Sequence, residues 1–296
     1  MTRSNVTIFE ALAWADDILK KHLNPVQNPK LDAQTLLAFV LEKGTAYLFA
    51  HGDDMLSPPK EEQFRRLVER RSQHEPVAYL LGKKEFYGRE FFVTPVTLIP
   101  RPDTETLIDE AKKVITNTTL IVDVGTGSGA IAVTLACETH RPVVAIDESE
   151  DALAVAKTNA IRLAPTELIA FLGGNLLTPL FSESNGESLG EHVVIVANLP
   201  YLSARQFDAL DADVRIFEPT RALVSGVDGL DHYDALFTQL MLRRHAFPQK
   251  LDVLIEIDSS QKISAPSLMK KHFPGAATTV INDLTGKPRV VLATLY

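Results

Sequence analysis

A single cysteine, Cys137, in 296 residues excludes an internal disulfide, and with it a small disulfide-stapled fold. Basic residues are also outnumbered. The chain carries 30 Lys and Arg against 38 Asp and Glu, a net charge of −8, which argues against a protein that grips nucleic acid through its phosphates. The 8 histidines, at 22, 51, 74, 140, 192, 232, 245 and 272, form no pair at metal-ligand spacing and have no companion cysteines, so no metal is expected. No apolar run approaches the roughly 20 residues that span a bilayer. The first residues run into Asp16-Asp17 too early for a signal peptide or an Arg-rich transit peptide. A cytoplasmic monomer away from membranes is the expectation. What the chain does have is the balance of a globular protein, 45% hydrophobic and 23% charged, with length enough for two domains.

Residues 1–85 read as helical. Phe9, Leu12, Ala13, Trp14, Ile18 and Leu19 recur at helical spacing before the breaker Asn24-Pro25. A second apolar-periodic stretch runs from Leu31 to Leu41 and stops at Gly44. Ser57-Pro58-Pro59 starts a third through Phe64, Leu67 and Val68. No polar cluster here suggests chemistry, so a small bundle that packs or recognises a partner is expected. Residues 86–100, aromatic and β-branched around Gly88, suggest a hairpin linking this bundle to the rest. From 101 to 296 the pattern alternates. Short β-rich runs at 120–124, 143–146, 168–172, 193–197, 251–257, 278–281 and 289–295 are separated by helical patterns, notably 130–137 and 151–163. Such alternation implies βαβ units and a mostly parallel, doubly wound α/β sheet. The polar stretch 181–190 reads as a surface loop.

Two places in that alternation carry chemistry. Ile121-Val-Asp-Val-Gly-Thr-Gly-Ser-Gly129 leaves the first strand and opens a helix. Gly125 and Gly127 allow a tight turn and close backbone approach to a ligand, with Thr126, Ser128 and Gly129 completing the loop. Asp123 at the strand end could face a cationic ligand. Asp147 ends the second strand 24 residues later, where an acid hydrogen-bonds ribose hydroxyls. A dinucleotide is the rival, but a pyrophosphate disfavours a carboxylate beside the helix N-terminus, whereas the amine and sulfonium of S-adenosylmethionine tolerate Asp123. A bare strand-to-helix turn with no ligand is the bland alternative.

The apolar run 193–197 ends in Asn198-Leu199-Pro200-Tyr201. Ligands of doubly wound sheets bind beyond the C-terminal strand ends, so this turn falls beside the glycine loop if the two strands are neighbours. It suits methyl transfer to a planar, weakly nucleophilic NH2. The Asn198 side-chain oxygen and the Leu199 main-chain carbonyl are two acceptors for its N–H bonds, which helps localise the nitrogen lone pair. Tyr201 can pack against the planar group. Taken alone, a proline turn after a strand is common; the coupling to the glycine loop and Asp147 raises the functional reading.

With these residues in view, the sequence resembles the HemK/PrmC family of peptide chain release factor glutamine methyltransferases over nearly its whole length. His74-Glu-Pro-Val-Ala-Tyr-Leu-Leu-Gly82 and Glu85-Phe-Tyr-Gly88 look like the family's inter-domain stretch. Leu98-Ile-Pro-Arg-Pro-Asp-Thr-Glu105 matches its most specific signature, residues 125–129 and Asp147 its cofactor loop and ribose acid, and Phe217-Glu-Pro219, Glu256 and Asp283-Leu-Thr-Gly-Lys-Pro-Arg-Val-Val291 its later motifs. The resemblance implies a Rossmann-like class I methyltransferase domain with a seven-stranded sheet, S-adenosylmethionine as cofactor, and a release factor bound by the helical domain. The acceptor would be the glutamine of a Gly-Gly-Gln loop, held by Asn198 and the carbonyl of Leu199, with Pro200, Tyr201, Arg101 and Glu105 on the substrate side and Asn175 and Leu176 on the cofactor side.

Two positions depart from the family. It usually has Asn-Pro-Pro-Tyr, where this chain has Leu199. The acceptor is a main-chain oxygen and Leu199 still precedes a proline, so losing the ring should cost only about 0.4–1 kcal/mol of preorganisation. Asn175 stands where an acid often contacts adenine, and an amide can serve the same edge. Three other activities remain open: a glutamine methyltransferase of a large-subunit ribosomal protein, an adenine N-methyltransferase acting on nucleic acid, and a non-catalytic S-adenosylmethionine-binding adaptor.

Overall fold

The computed structural model describes residues 6–23, 28–183 and 189–295, in two compact units. The first comprises residues 1–83 and 210–217. Its helices are α1 (Ile8–His22), α2 (Pro29–Leu41), α3 (Thr45–Ala50), α4 (Pro58–Ser72) and α5 (Val77–Leu81). Local chemistry starts them. Thr7 and Glu10 form a capping box on α1, the Asn28 side chain caps α2 ahead of Pro29, and Pro58 opens α4. The apolar positions Leu19, Leu36, Leu37, Leu48, Phe64 and Val68 meet in a single core. The two short helices α3 and α5 have too few turns to show a period in the sequence. At the unit's edge the buried Arg71 guanidinium bonds the Asp32 carboxylate at 2.7 Å and lies 3.8 Å from that of Asp213.

The second unit comprises residues 84–209 and 218–296. Strands β1 (Lys83–Phe86) and β2 (Arg89–Phe92) make a two-stranded sheet turned by Tyr87-Gly88, so the hairpin opens three residues ahead of the sequence expectation. Helix α6 (Glu105–Val114) leads into the main sheet: β3 (Thr119–Val124), α7 (Ala130–Thr139), β4 (Val143–Asp147), α8 (Glu150–Leu163), β5 (Ile169–Gly173), α9 (Thr178–Glu183) and β6 (His192–Ala197). Then follow the short α10 (Ala204–Asp208) and α11 (Ala212–Phe217, part of the first unit), α12 (Asp231–Leu242), β7 (Lys250–Glu256), α13 (Ser264–His272), β8 (Ala277–Asn282) and β9 (Pro288–Leu295). All seven expected strands form, with ends shifted by no more than one residue. The loop expected at 181–190 is partly taken by the end of α9, and its residues 184–188 lie outside the described residues.

Seven strands stand in the order β5-β4-β3-β6-β7-β9-β8. The first five are parallel, and β9 runs antiparallel to β7 and β8. Every residue of β6 is buried, as expected of a central parallel strand covered on both faces. Val122, Val124, Val193 and Ile195 pack against Tyr233, Leu236, Phe237 and Leu240 of α12 on one face. On the other, Ile121, Val194 and Val196 pack against Leu107 and Ile108 of α6 and Ile131 and Leu135 of α7. The chain leaves β3 toward β4 on one side and meets β6 on the other, which opens a crevice above their C-terminal ends.

Candidate active site

Val124 pairs with Ala197 across β3 and β6, so the glycine loop and the Asn198-Leu199-Pro200-Tyr201 turn leave adjacent strands at the same level. Both line a single cleft of about 1030 Å³, its open mouth included. Gly125, Thr126, Gly127 and Ser128 form one wall with Asp147. Asn198, Leu199 and Pro200 form another, and Arg101, Gly174 and Leu176 complete it among others.

Two glycines shape the loop. At Gly127 (φ +55°) an added Cβ would meet nothing within 4 Å and would project into open space. At Gly125 (φ +75°) it would stand 2.7 Å from Leu199 Cδ2. The leucine side chain therefore packs directly over the loop, and an added Cβ would have to displace its terminal methyl. The Asp147 carboxylate accepts the Gly127 N–H on Oδ2 and the Ser149 N–H on Oδ1, both at 2.9 Å. Burial raises its pKa, partly offset by those two donors.

Asp123 lies beneath the loop, outside the cleft lining and wholly buried. Its Oδ2 accepts from Thr126 Oγ1 at 2.6 Å and from the Ala132 N–H at 3.1 Å, and its Oδ1 has no partner among the described residues. Burial pushes this carboxyl up to about 7. An acid of this kind under a loop that also presents Asp147 suits a cationic ligand bearing hydroxyls and opposes a pyrophosphate. The residues present thus fit S-adenosylmethionine.

In the turn, the Asn198 Nδ2 donates to Thr104 Oγ1 at 3.1 Å, which leaves Oδ1 as the acceptor end of the amide. The Tyr201 hydroxyl donates to Glu256 Oε1 at 3.1 Å, and burial beside that carboxyl raises the phenol pKa. Glu256 is itself buried, which raises its pKa too. Arg101 bonds the buried Glu218 carboxylate, whose other oxygen accepts the Ile99 N–H at 3.1 Å, and this ties the 98–105 signature to the segment after 217.

Four sequence candidates lie outside the cleft lining besides Asp123. Tyr201 faces Glu256. Glu105 caps the hairpin turn by accepting the Tyr87 N–H at 2.9 Å. Gly129 caps α7. Asn175 is exposed, and its side-chain oxygen accepts from Gln239 Nε2 at 2.9 Å. Arg221, which donates to Ser149 Oγ at 2.7 Å, and His232 line the cleft although nothing in their local sequence marks them. Thr104 and Tyr233 touch the turn; Thr104 lies inside the 98–105 signature, and Tyr233 reads only as a core aromatic.

The chain is similar to known proteins along most of its length. Residues 10–82 match the family model described as the PrmC N-terminal domain, and residues 102–200 that of ribosomal protein L11 methyltransferase (PrmA). The release factor glutamine methyltransferase of Bacillus subtilis (strain 168) is 36% identical over 98% of this chain and 98% of its own length. That of Salmonella typhimurium is 41% identical over 73% of this chain and 76% of its own. Among solved structures, the hMettl16 catalytic domain in complex with a 3′UTR hairpin superposes with a TM-score of 0.56 at 13% identity, covering 97% of this chain and 92% of that one, a likeness of fold. With a full-length relative at 36% identity, the chain belongs to the release factor glutamine methyltransferase family.

Proposed function

We propose that this protein transfers a methyl group from S-adenosylmethionine to the side-chain amide nitrogen of the glutamine in the Gly-Gly-Gln motif of a peptide chain release factor. The observation that carries the reading is the shared cleft, with Asn198 and the glycine loop opening into it from strands paired in register. Within it, residues 125–129 would hold the cofactor, Asp147 its ribose, and Asp123 its positive charge from below the loop. Bound there, S-adenosylmethionine would supply an electrophilic methyl carbon on a sulfonium.

The chain's own residues then orient the acceptor. Asn198 Oδ1 and the Leu199 carbonyl accept the two N–H bonds of the glutamine amide, which turns the nitrogen lone pair toward the methyl. The donor would leave as a neutral thioether, and the acceptor nitrogen would shed its proton to solvent only after it has gained the methyl. No residue must act as a base before attack. Pro200 and Arg101 contact the incoming loop, and Tyr201 braces the turn through Glu256.

Residues 1–85 serve release-factor recognition, 86–100 link, and 101–296 carry the chemistry. A monomer acting in the cytoplasm without direct nucleic-acid contact fits a translation-factor substrate and the acidic composition. The test is labelling with methyl-labelled S-adenosylmethionine of release factor, ribosomal protein, RNA and DNA in parallel, with mass spectrometric mapping. Label on the Gly-Gly-Gln glutamine is expected. Label confined to ribosomal protein or nucleic acid, or none despite cofactor binding, would overturn the proposal.

A further inference from the structure

Leu199 brings a donor that a proline would not bring. Its N–H lies in a residue only 4% exposed, just beyond the end of β6, and its acceptor is the phenol oxygen of Tyr233 at 3.3 Å. Tyr233 is fully buried on α12. Its hydroxyl contacts the Glu256 carbonyl at 2.5 Å and the Ala197 carbonyl at 3.5 Å. A phenol has one hydrogen to donate, and the shorter contact takes it, which leaves an oxygen lone pair for Leu199. Burial raises the phenol pKa well above its ordinary value, so the group stays a neutral donor–acceptor relay.

The N–H that Tyr233 holds belongs to the peptide unit between Asn198 and Leu199. That unit sets the spacing between the Asn198 side chain and the Leu199 carbonyl, the two acceptors assigned to the substrate amide. We propose that Tyr233 is a positioning residue for methyl transfer, holding the Asn198–Leu199 peptide so that both acceptors converge on one NH2 group. The proposal rests on the reading of those two acceptors given above. On its other side, Leu199 is braced by its own side chain, whose Cδ2 lies over Gly125. The phenol thus compensates for the N–H that leucine introduces, which would otherwise be an unpaired buried donor.

A double-mutant cycle separates this role from simple core packing. Tyr233→Phe keeps the ring and loses the hydroxyl, and Leu199→Pro removes the N–H. In the native background, Tyr233→Phe should lower kcat about tenfold with little change in KM for either substrate. In the Leu199→Pro background the same change should lower kcat by no more than about twofold, because the donor it served is gone. Loss of the Tyr233 bond to Glu256 is common to both backgrounds and cancels. Equal losses in the two backgrounds, or no loss in the native one, would overturn the proposal. Hydrogen exchange of the Leu199 amide gives a readout independent of turnover. Its protection should fall about tenfold in Tyr233→Phe, and unchanged protection would equally overturn the idea. Should the native protein methylate no release factor, the assigned reaction fails, while amide exchange still judges the contact with Tyr233.

Discussion

Asp123→Asn should abolish a pH dependence of stability that the native protein carries. The carboxyl is wholly buried and pushed up to about 7 in the folded chain, against about 4 when unfolded. The folded state therefore keeps the proton over a window in which the unfolded state has lost it. Stability is highest below about 4, falls as pH rises through the window, and has lost the full contribution above about 7. About three units at about 1.4 kcal/mol each put the span on the order of 4 kcal/mol. Asparagine is neutral throughout. It can keep an oxygen toward Thr126 and Ala132, and its NH2 takes the position of the unpartnered Oδ1. Any cost of that NH2 is independent of pH. Urea denaturation at pH 5 and pH 8, which covers about two units of that window, should show the variant gaining about 3 kcal/mol on the native protein between the two. Parallel stabilities at both pH values would refute the argument. The same charge should govern cofactor binding: S-adenosylmethionine should raise the native Tm more at pH 8 than at pH 6, and the variant's Tm about equally at both.

Three further outcomes follow from named contacts. Asp147→Ala should weaken S-adenosylmethionine binding at least about tenfold by calorimetry, since it also strips acceptors from the Gly127 and Ser149 N–H groups; unchanged affinity would remove Asp147 from the site. Gly125→Ala places a Cβ 2.7 Å from Leu199 Cδ2 at φ +75°, and should lower kcat/KM at least about tenfold; near-native turnover would mean the leucine is not packed over the loop. Arg71→Ala should cost about 3 kcal/mol in denaturant unfolding, because it leaves the part-buried Asp32 without its cation; a loss under about 0.5 kcal/mol, typical of a surface pair, would contradict the burial.

The sheet was legible from periodicity, because its strands are short apolar runs and its connections are helices with clear stripes. Register and order were not, yet the glycine loop and Asn198 imply them: both need the crevice beyond β3 and β6, and those strands pair. What escaped the sequence is the ring of contacts that supports the turn. Thr104 and Tyr233 reach the turn from 94 and 34 residues away only after the chain has folded, and no local pattern encodes such a distance. Residues 210–217 likewise read as a continuation of the sheet domain but belong to the helical unit, to which Asp213 is tied by Arg71.

Asn198→Ala bears most directly on the central claim. Its side-chain oxygen is the acceptor proposed for the substrate nitrogen, and its Nδ2 is anchored on Thr104. Measured by single turnover on a purified release factor, the methyl-transfer rate should fall at least about 100-fold, with S-adenosylmethionine affinity within a few-fold of native. A variant that transfers methyl at a near-native rate would contradict the account.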